Sequence, residues 1–267
     1  MTLREDQILR YSRHILLPEV GGIGQERLAR ARVLCVGAGG LGSPAILYLA
    51  AAGVGRLGIV DGDAVDLTNL QRQVLHGTPD VGVPKVESAA RAVARLNPDV
   101  QVDGYPFRLD AGNARELIGR YELVLDGSDN FPTRFLVNDA CYFAGVPLVS
   151  ACVLRFSGYL STFSYAPGTP CYRCLYPAPP PVGSVPSCSE AGILGAIAGV
   201  MGTLQASEAL KWLLELGEPA VGKLVTYDAL KTRFDTKFLR RDPACPLCGQ
   251  APSITELRMA EGAWCEG

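Results

Sequence analysis

Short apolar, β-branched runs alternate with stretches of helical spacing along the first 150 residues. Val33 to Val36, Leu57 to Val60, Val100 to Phe107, Leu123 to Asp126 and Pro147 to Ser150 have the length and residue types of strands. Between them, helices are expected after Ser43, from Pro84 to Leu96, from Asn113 and from Pro132. Such alternation predicts an α/β fold with a Rossmann-like, doubly wound and largely parallel sheet. Ahead of the first strand, Asp6 to Leu17 carries apolar residues at helical spacing, and Pro18 with "GGIG" stops that helix. The first thirty residues therefore read as short helices.

Beyond Ser150 the pattern changes. "CVLRF" and "GYLSTFSYA" are strands separated by Ser-Gly with no helix between them, so antiparallel pairing extends the sheet. A cysteine pair, the Pro-rich loop "YPAPPPVGSVPSCSE", an apolar helix from Glu190 to about Leu214, and the closing strands "KLVTYDA" and "TRFDTKFLR" follow. The late strands have too little helix to build a core of their own. One domain over residues 1–250 is expected, with a tail at 251–267.

Composition narrows the function without naming it. The chain of 267 residues is 48% apolar and 19% charged, ordinary for a globular protein, and its net charge of −2 gives no general attraction to polyanions. The basic run Lys231 to Arg241 alternates with Phe and Thr, as a solvated strand face does, so no direct nucleic-acid partner is expected. The longest apolar run, Ala191 to Leu204, spans 14 residues interrupted by Gly, which suits a buried helix and not a membrane span. The opening "MTLREDQILR" lacks the apolar core of a signal peptide, so a cytoplasmic setting is expected, with the nine cysteines reduced.

"VLCVGAGGLGSPAILYLAAAGVGRLGIVD" places Gly37, Gly39 and Gly42 in G-x-G-x-x-G spacing between a strand and a helix, with Asp61 nineteen residues beyond Gly42. Glycines there let the backbone approach a phosphate that rests on the helix N-terminus, and an acid at that distance suits a ribose hydroxyl. NAD, FAD and other nucleotides all satisfy this pattern, and taken alone it favours NAD. The next residues shift the balance. "DLTNLQRQVL" puts Asn69, Arg72 and Gln73 beyond the second strand, and Lys85 stands in the first turn of a helix, where the macrodipole disfavours a cation. Either a bound anion or a local ion pair accounts for it. Asp126 and Asp129 follow the fourth strand; Asp129 or Asn130 can cap the next helix, and an acid beside these cations suits Mg²⁺. A dehydrogenase needs an acid/base partner, and His14 in a helix and His76 in a polar turn offer little. The set resembles a triphosphate site more than a nicotinamide site.

"PCYRC" (Cys171, Cys174) and "ACPLCGQ" (Cys245, Cys248) are two C-x-x-C pairs, able to close a tetrahedral Zn²⁺ site that ties the closing strands to the sheet. A thioredoxin-like dithiol is the competing reading of either pair. Cys188 stands alone in the Pro-rich loop before a helix, a position that favours a thiolate although Glu190 works against it; an incidental loop cysteine is the competing reading. Cys35, Cys141 and Cys152 lie in apolar segments and read as core.

With these residues assembled, the chain resembles the ThiF/MoeB family, relatives of the ubiquitin-activating enzymes. The resemblance runs from about residue 5 to Gly249 on "RYSRHILLPEVGGIGQERL", "GAGGLG", "DLTNLQRQVLH", "VGVPKVESA", "LVLDGSDNFPTRFLVND", "PCYRCLYP" and "CPLCGQ". It implies N-terminal helices at 1–30, a nucleotide-binding half at 31–150 and a carrier-binding and zinc half at 151–250. The activity it implies is ATP- and Mg²⁺-dependent adenylation of a ubiquitin-like sulfur carrier ending in Gly-Gly, serving molybdopterin, thiamin or tRNA thiouridine synthesis. By that resemblance Gly37, Gly39, Gly40 and Gly42 hold phosphates and Asp61 the ribose. Thr68, Asn69, Leu70, Gln71, Arg72 and Lys85 hold the triphosphate, and Asp129, beside Asn130, holds Mg²⁺. Arg13 reaches the neighbouring site of a homodimer, and Cys188 matches a position of covalent carrier linkage. No rhodanese-like segment is present, so a separate sulfur donor, such as a cysteine desulfurase or rhodanese, is expected. The competing functions are a nicotinamide-dependent oxidoreductase and a non-catalytic zinc scaffold.

Overall fold

A computed structural model of the chain describes residues 3–181, Ser184 and residues 192–259. One eight-stranded sheet runs in the order β3-β2-β1-β4-β5-β6-β7-β8. Its members are β1 (Arg32–Val36), β2 (Arg56–Val60), β3 (Gln101–Tyr105), β4 (Leu123–Asp126), β5 (Leu148–Leu154), β6 (Ser157–Phe163), β7 (Lys223–Asp228) and β8 (Arg233–Phe238). Pairs from β3 through β5 are parallel, and those from β5 through β8 antiparallel, so the mixed sheet expected from the sequence is present.

Helices cover both faces of the parallel half. Val33 and Cys35 of β1 point to a core shared with α4 (Gly42–Ala52), α5 (Lys85–Leu96) and the long C-terminal helix Gly195–Leu214. Leu34 and Val36 point the other way, to α6 (Ala114–Ile118) and α7 (Phe131–Ala144). A strand buried on both sides reads as an unbroken apolar run, which is why "VLCV" and "LVLD" carry no alternation. The core burial of Cys35 pushes its thiol up to about 12. Cys141 is as deeply buried, whereas Cys152 is only partly so. Among the described residues no helix is long and apolar enough to cross a membrane.

Three short helices precede β1: α1 (Glu5–Arg10), α2 (Ser12–Ile15) and α3 (Gly21–Arg30). The helix expected over Asp6 to Leu17 is interrupted at Tyr11, whose ring packs against Gly53 and whose hydroxyl accepts from Asn97 Nδ2 at 2.8 Å. Two further boundaries differ from the sequence expectation. Pro147 to Ser150 and "CVLRF" form one strand, β5, and the reversal falls at Arg155, held at φ 53°. Gly158, read as part of the turn, lies inside β6, where a Cβ would stand 2.4 Å from Met201 Sδ. The glycine serves packing. After α8 (Tyr172–Leu175), the next helix among the described residues, α9, starts at Gly195, where a Cβ would stand 2.3 Å from the Gln71 carbonyl oxygen; Glu190, where the sequence starts it, lies outside the described residues.

α9 crosses α4 at a second close approach. A Cβ on Gly202 would lie 2.2 Å from the Leu41 carbonyl oxygen and 2.6 Å from Pro44 Cγ, so the two helices meet backbone to backbone. Gly202→Ala is expected to cost about 1–3 kcal/mol, read as a lower midpoint in urea denaturation, because rigid backbone and not a mobile side chain must move.

Candidate nucleotide site and cysteine cluster

The strand order reverses at β1, whose partners β2 and β4 send their crossovers to opposite sides, and ligands of open α/β sheets bind outside the carboxyl ends of such strands. The turn after Val36 is built for close approach. Gly37 has φ 89°, and a Cβ on Gly42 would fall 1.9 Å from the Gly37 carbonyl oxygen. Two buried polar atoms beside this turn, Ser43 Oγ in the first turn of α4 and Gln73 Oε1, have no hydrogen-bond partner. Orphaned polar atoms are uncommon in a folded interior, and a polar ligand at the turn would satisfy them.

Asp61, at the end of β2, grips this turn. Its Oδ2 accepts from the Ala38 N–H at 2.8 Å and its Oδ1 from the Asp63 N–H at 2.9 Å. Burial pushes its pKa up, against the opposing pull of Lys85 and the two amides. A carboxylate has lone pairs to spare beyond these two bonds, enough to accept from a ribose hydroxyl as well.

The segment after β2 curls back over the glycines. Asp66 Oδ1 caps a 3-10 turn at Leu67–Asn69 by accepting from Thr68 N and Thr68 Oγ1 at 2.8 and 2.6 Å. Arg72 then donates from Nη1 to the Thr68 carbonyl at 3.2 Å, and its Cγ lies 3.5 Å from a Cβ built on Gly40. Thr68 and Gln71 are exposed, while Asn69, Leu70 and Arg72 are half-buried. Lys85 is buried in the first turn of α5, its Nζ 3.1 Å from Asp63 Oδ2, and Arg108 reaches Asp63 Oδ1 at the same distance. Burial works against the Asp63 charge, but Lys85 and Arg108 hold its pKa below the usual carboxylate value. The ion-pair explanation of Lys85 is thus real, with the ammonium buried and its partner Asp63 partly exposed, two residues beyond the Asp61 that grips the glycine turn.

The acid that ends β4 and the acid in the turn after it take different roles. Asp126 is buried, accepting from Ser128 N, Ser128 Oγ and Ser150 Oγ, with Arg134 Nη1 at 3.6 Å. Arg134 also donates to the carbonyls of Ala151 and Ser128, so it fixes the turn from inside. Asp129 is exposed, and Asn130, not Asp129, caps α7 by accepting from Thr133 N at 2.9 Å. The turn touches the glycines directly: the Gly127 carbonyl oxygen lies 3.1 Å from a Cβ built on Gly37. Gly37 to Gly42, Asp61, Arg72, Lys85 and the Asp129 turn therefore gather at one sheet edge. Arg13 is exposed on α2 and, among the described residues, makes no hydrogen bond or ion pair with that group. Cys188 lies outside the described residues.

Sequence reading missed His76. The residue sits in a polar turn as expected but is buried there, with Nδ1 2.8 Å from Ser88 Oγ and Nε2 2.9 Å from the Ala38 carbonyl oxygen. Burial lowers its pKa, so the neutral ring is favoured. Asp63, Arg108 and Arg134 were likewise unread; the only sequence signal for Arg134 is a charge inside a helix that is otherwise buried from Pro132 to Cys141.

The four paired cysteines converge. All four Sγ atoms lie within 4.8 Å of one another, with Cys171 to Cys174 at 3.9 Å, Cys171 to Cys245 at 3.6 Å and Cys174 to Cys248 at 3.4 Å. Tetrahedral Zn²⁺ with its ordinary thiolate bonds requires sulfurs about 3.8 Å apart, so the donor set fits that ion. Burial raises the Cys171 thiol, and the Cys248 thiol reaches about 11. Cys174 is lowered despite burial, by the N–H groups of Asp242 and the Cys171 segment. The cluster is anchored to α7 through the residues inside its first pair. Arg173 makes two 2.8 Å bonds to Asp139 and stacks 4.7 Å over Phe135, while Asn138 Oδ1 accepts from Tyr172 N at 2.9 Å.

Residues 11–247 match the model of the ThiF family. The chain is 51% identical over 261 residues to the sulfur carrier protein adenylyltransferase of Thermus thermophilus, covering 96% of each. It is 52% identical over 265 residues to the SAMP-activating enzyme E1 of Haloferax volcanii, covering 98% of this chain and 97% of that relative. The crystal structure of E. coli MccB with MccA-N7isoASN matches with a TM-score of 0.78 at 23% identity, over 91% of this chain and 75% of that one, a likeness of fold.

Because Asp139 and Arg173 are both buried, removing one strands the other's charge. Asp139→Ala is expected to destabilise the protein by about 3–5 kcal/mol in chemical denaturation, far more than removal of an exposed pair such as Arg120 and Glu116.

Proposed function

The chain belongs to the ThiF family, and from that membership we propose that it adenylates the C-terminal glycine of a ubiquitin-like sulfur-carrier protein at the expense of ATP. The observation that carries this reading is the meeting of Arg72, Lys85 and the Asp129 turn around a glycine turn with unsatisfied polar atoms. The names of relatives about half identical over nearly their whole length support the same chemistry.

In this reading the α4 N-terminus and the backbone of Gly37 to Gly42 receive the phosphates, and Asp61 accepts from the ribose. Asn69, Arg72 and Lys85, with the backbone of Thr68 to Gln71, surround the triphosphate. Asp129, beside Asn130, is the carboxylate that would hold Mg²⁺, which supplies charge neutralisation to the polyphosphate when bound. The carrier's terminal carboxylate attacks the α-phosphorus; the new carboxyl O–P bond forms as the bond to the β-phosphate bridging oxygen breaks, giving an acyl-adenylate and pyrophosphate. The nucleophile is already ionised near neutral pH, so no general base is required and the burial of His76 in a structural role is no obstacle. What the site must provide is positive charge fixed where the transition state gathers negative charge. Arg72 and Lys85 provide it.

Arg13 belongs to a different surface. Around it Leu9, Leu16 and Ile23 are 76%, 69% and 88% exposed, an apolar face that a second copy would cover, and Arg13 would then act in the partner's site. Cys171, Cys174, Cys245 and Cys248 would hold one structural Zn²⁺. By the same reading a sulfur-donating protein would act on the acyl-adenylate, and Cys188 is the residue to examine for covalent carrier linkage.

ATP–pyrophosphate exchange with a panel of Gly-Gly-ended carriers tests the reading. Exchange requiring Mg²⁺ is expected, falling by about 10²-fold or more in Arg72→Ala and Asp129→Ala; near-normal exchange in both variants overturns the site assignment. Mixing inactive Arg13→Ala and Asp129→Ala chains is expected to recover about a quarter of wild-type activity through mixed dimers with one intact site. Elemental analysis is expected to give one zinc per chain, with chelation lowering the thermal midpoint.

A further inference from the structure

The buried imidazole that sequence reading set aside occupies an unusual junction. Its Nε2 faces a carbonyl oxygen, that of Ala38, which can only accept; the ring must therefore carry its proton there. Nδ1 is then the bare nitrogen, and the Ser88 hydroxyl donates to it at 2.8 Å. On the other side of the same residue, the Ala38 N–H is held by Asp61. Both peptide groups of Ala38 are thus tied, and its methyl is fully buried. Its neighbours in the chain are Gly37 and Gly39, whose conformational freedom makes an untethered turn costly to hold in one shape.

Resting on the adenylation reading above, we propose that His76 is a positioning residue for nucleotide binding: it fixes the glycine turn through the Ala38 carbonyl, with Ser88 selecting the tautomer that can do so. The three segments joined at this ring each carry a group assigned to the triphosphate. Ala38 lies within the glycine turn. His76 ends the turn that bears Arg72, and its own N–H bonds to the Gln73 carbonyl at 3.0 Å. Ser88 is one helical turn beyond Lys85 in α5. A shift of any one segment against the others would misalign cations and amides that have to meet one polyanion, and displacement of a supporting group by about 1 Å suffices to cost two orders of magnitude in such sites. The charged groups facing the ring are Lys85 from α5, Asp61 from the end of β2 and Asp80 from the 3-10 turn at Thr78–Asp80. The desolvated ring beside Lys85 stays neutral, as the tautomer argument requires.

Two measurements on the full chain decide the matter. Two-bond ¹H–¹⁵N correlation spectra of the wild-type imidazole are expected to show the Nε2–H tautomer alone, and Ser88→Ala a mixture; a wild-type Nδ1–H tautomer overturns the proposal. In steady-state exchange, His76→Phe is expected to raise KM for ATP by about tenfold or more, with the change falling on ATP and not on the carrier. His76→Gln, whose side-chain amide can still donate to Ala38, is expected to restore most of the affinity. A folded His76→Phe with wild-type KM for ATP refutes the role. Should that variant fail to fold, Ser88→Ala gives the same reading, since loss of the Nε2–H population without a rise in KM for ATP also refutes it. Absence of exchange in the wild type would instead strike at the adenylation reading, which calorimetric ATP binding by the same variants separates from the tautomer question.

Discussion

No side chain fits between Gly37 and Gly42. With 1.9 Å between a hypothetical Cβ and a carbonyl oxygen, the chain leaving β1 folds tightly enough to start α4 immediately at the sheet edge. Other features follow from that contact. α9 meets α4 at another point with no room for a side chain, Gly202, beside the apolar contacts the two helices share, and α9 begins against the Gln71 carbonyl next to Arg72. Backbone contacts, with little rotamer freedom to lose, thus set the distance between the helix N-terminus and the cation-bearing turn.

Around this frame the charges that leave water are matched one by one. Lys85 has Asp63, Arg134 has Asp126, and Arg173 has Asp139, each with further hydrogen bonds. Matching is needed because an unpaired ion at such depth costs several kcal/mol. The first pair is the exception in one respect, since Asp63 is partly exposed and shared with Arg108. Lys85 is therefore buried at its own end but held by a partly exposed acid, a less binding arrangement than the two hydrogen bonds between Arg173 and Asp139.

The parallel half was legible because its strands are buried on both faces and announce themselves as unbroken apolar runs, and because glycines and an acid at fixed intervals mark the turn after β1. The paired cysteines were legible from spacing alone. Legibility failed where tertiary contacts overrode local signals. Gly158 reads as a turn residue but makes room for Met201, and the reversal is carried instead by Arg155 in a left-handed conformation that nothing in "LRFSG" announces. Tyr11 breaks an otherwise continuous helical pattern because its hydroxyl is needed at Asn97. His76 was misjudged for a related reason: its neighbours in sequence are polar, while its neighbours in space are a carbonyl and a hydroxyl 38 residues before it and 12 residues after it.

The convergence of the four sulfurs has a polymer-physical consequence. An ion held by them would join two points separated by 70 residues, enclosing α9, β7 and β8 in a single covalently closed ring. Restricting an unfolded chain in this way is worth about 4 kcal/mol of configurational entropy in the simplest treatment. The stabilisation would be felt chiefly by what lies inside the ring, and the first turn of α9 is inside it. A tether of this kind would in this manner keep the start of α9, the floor beneath Gln71 and Arg72, from drifting.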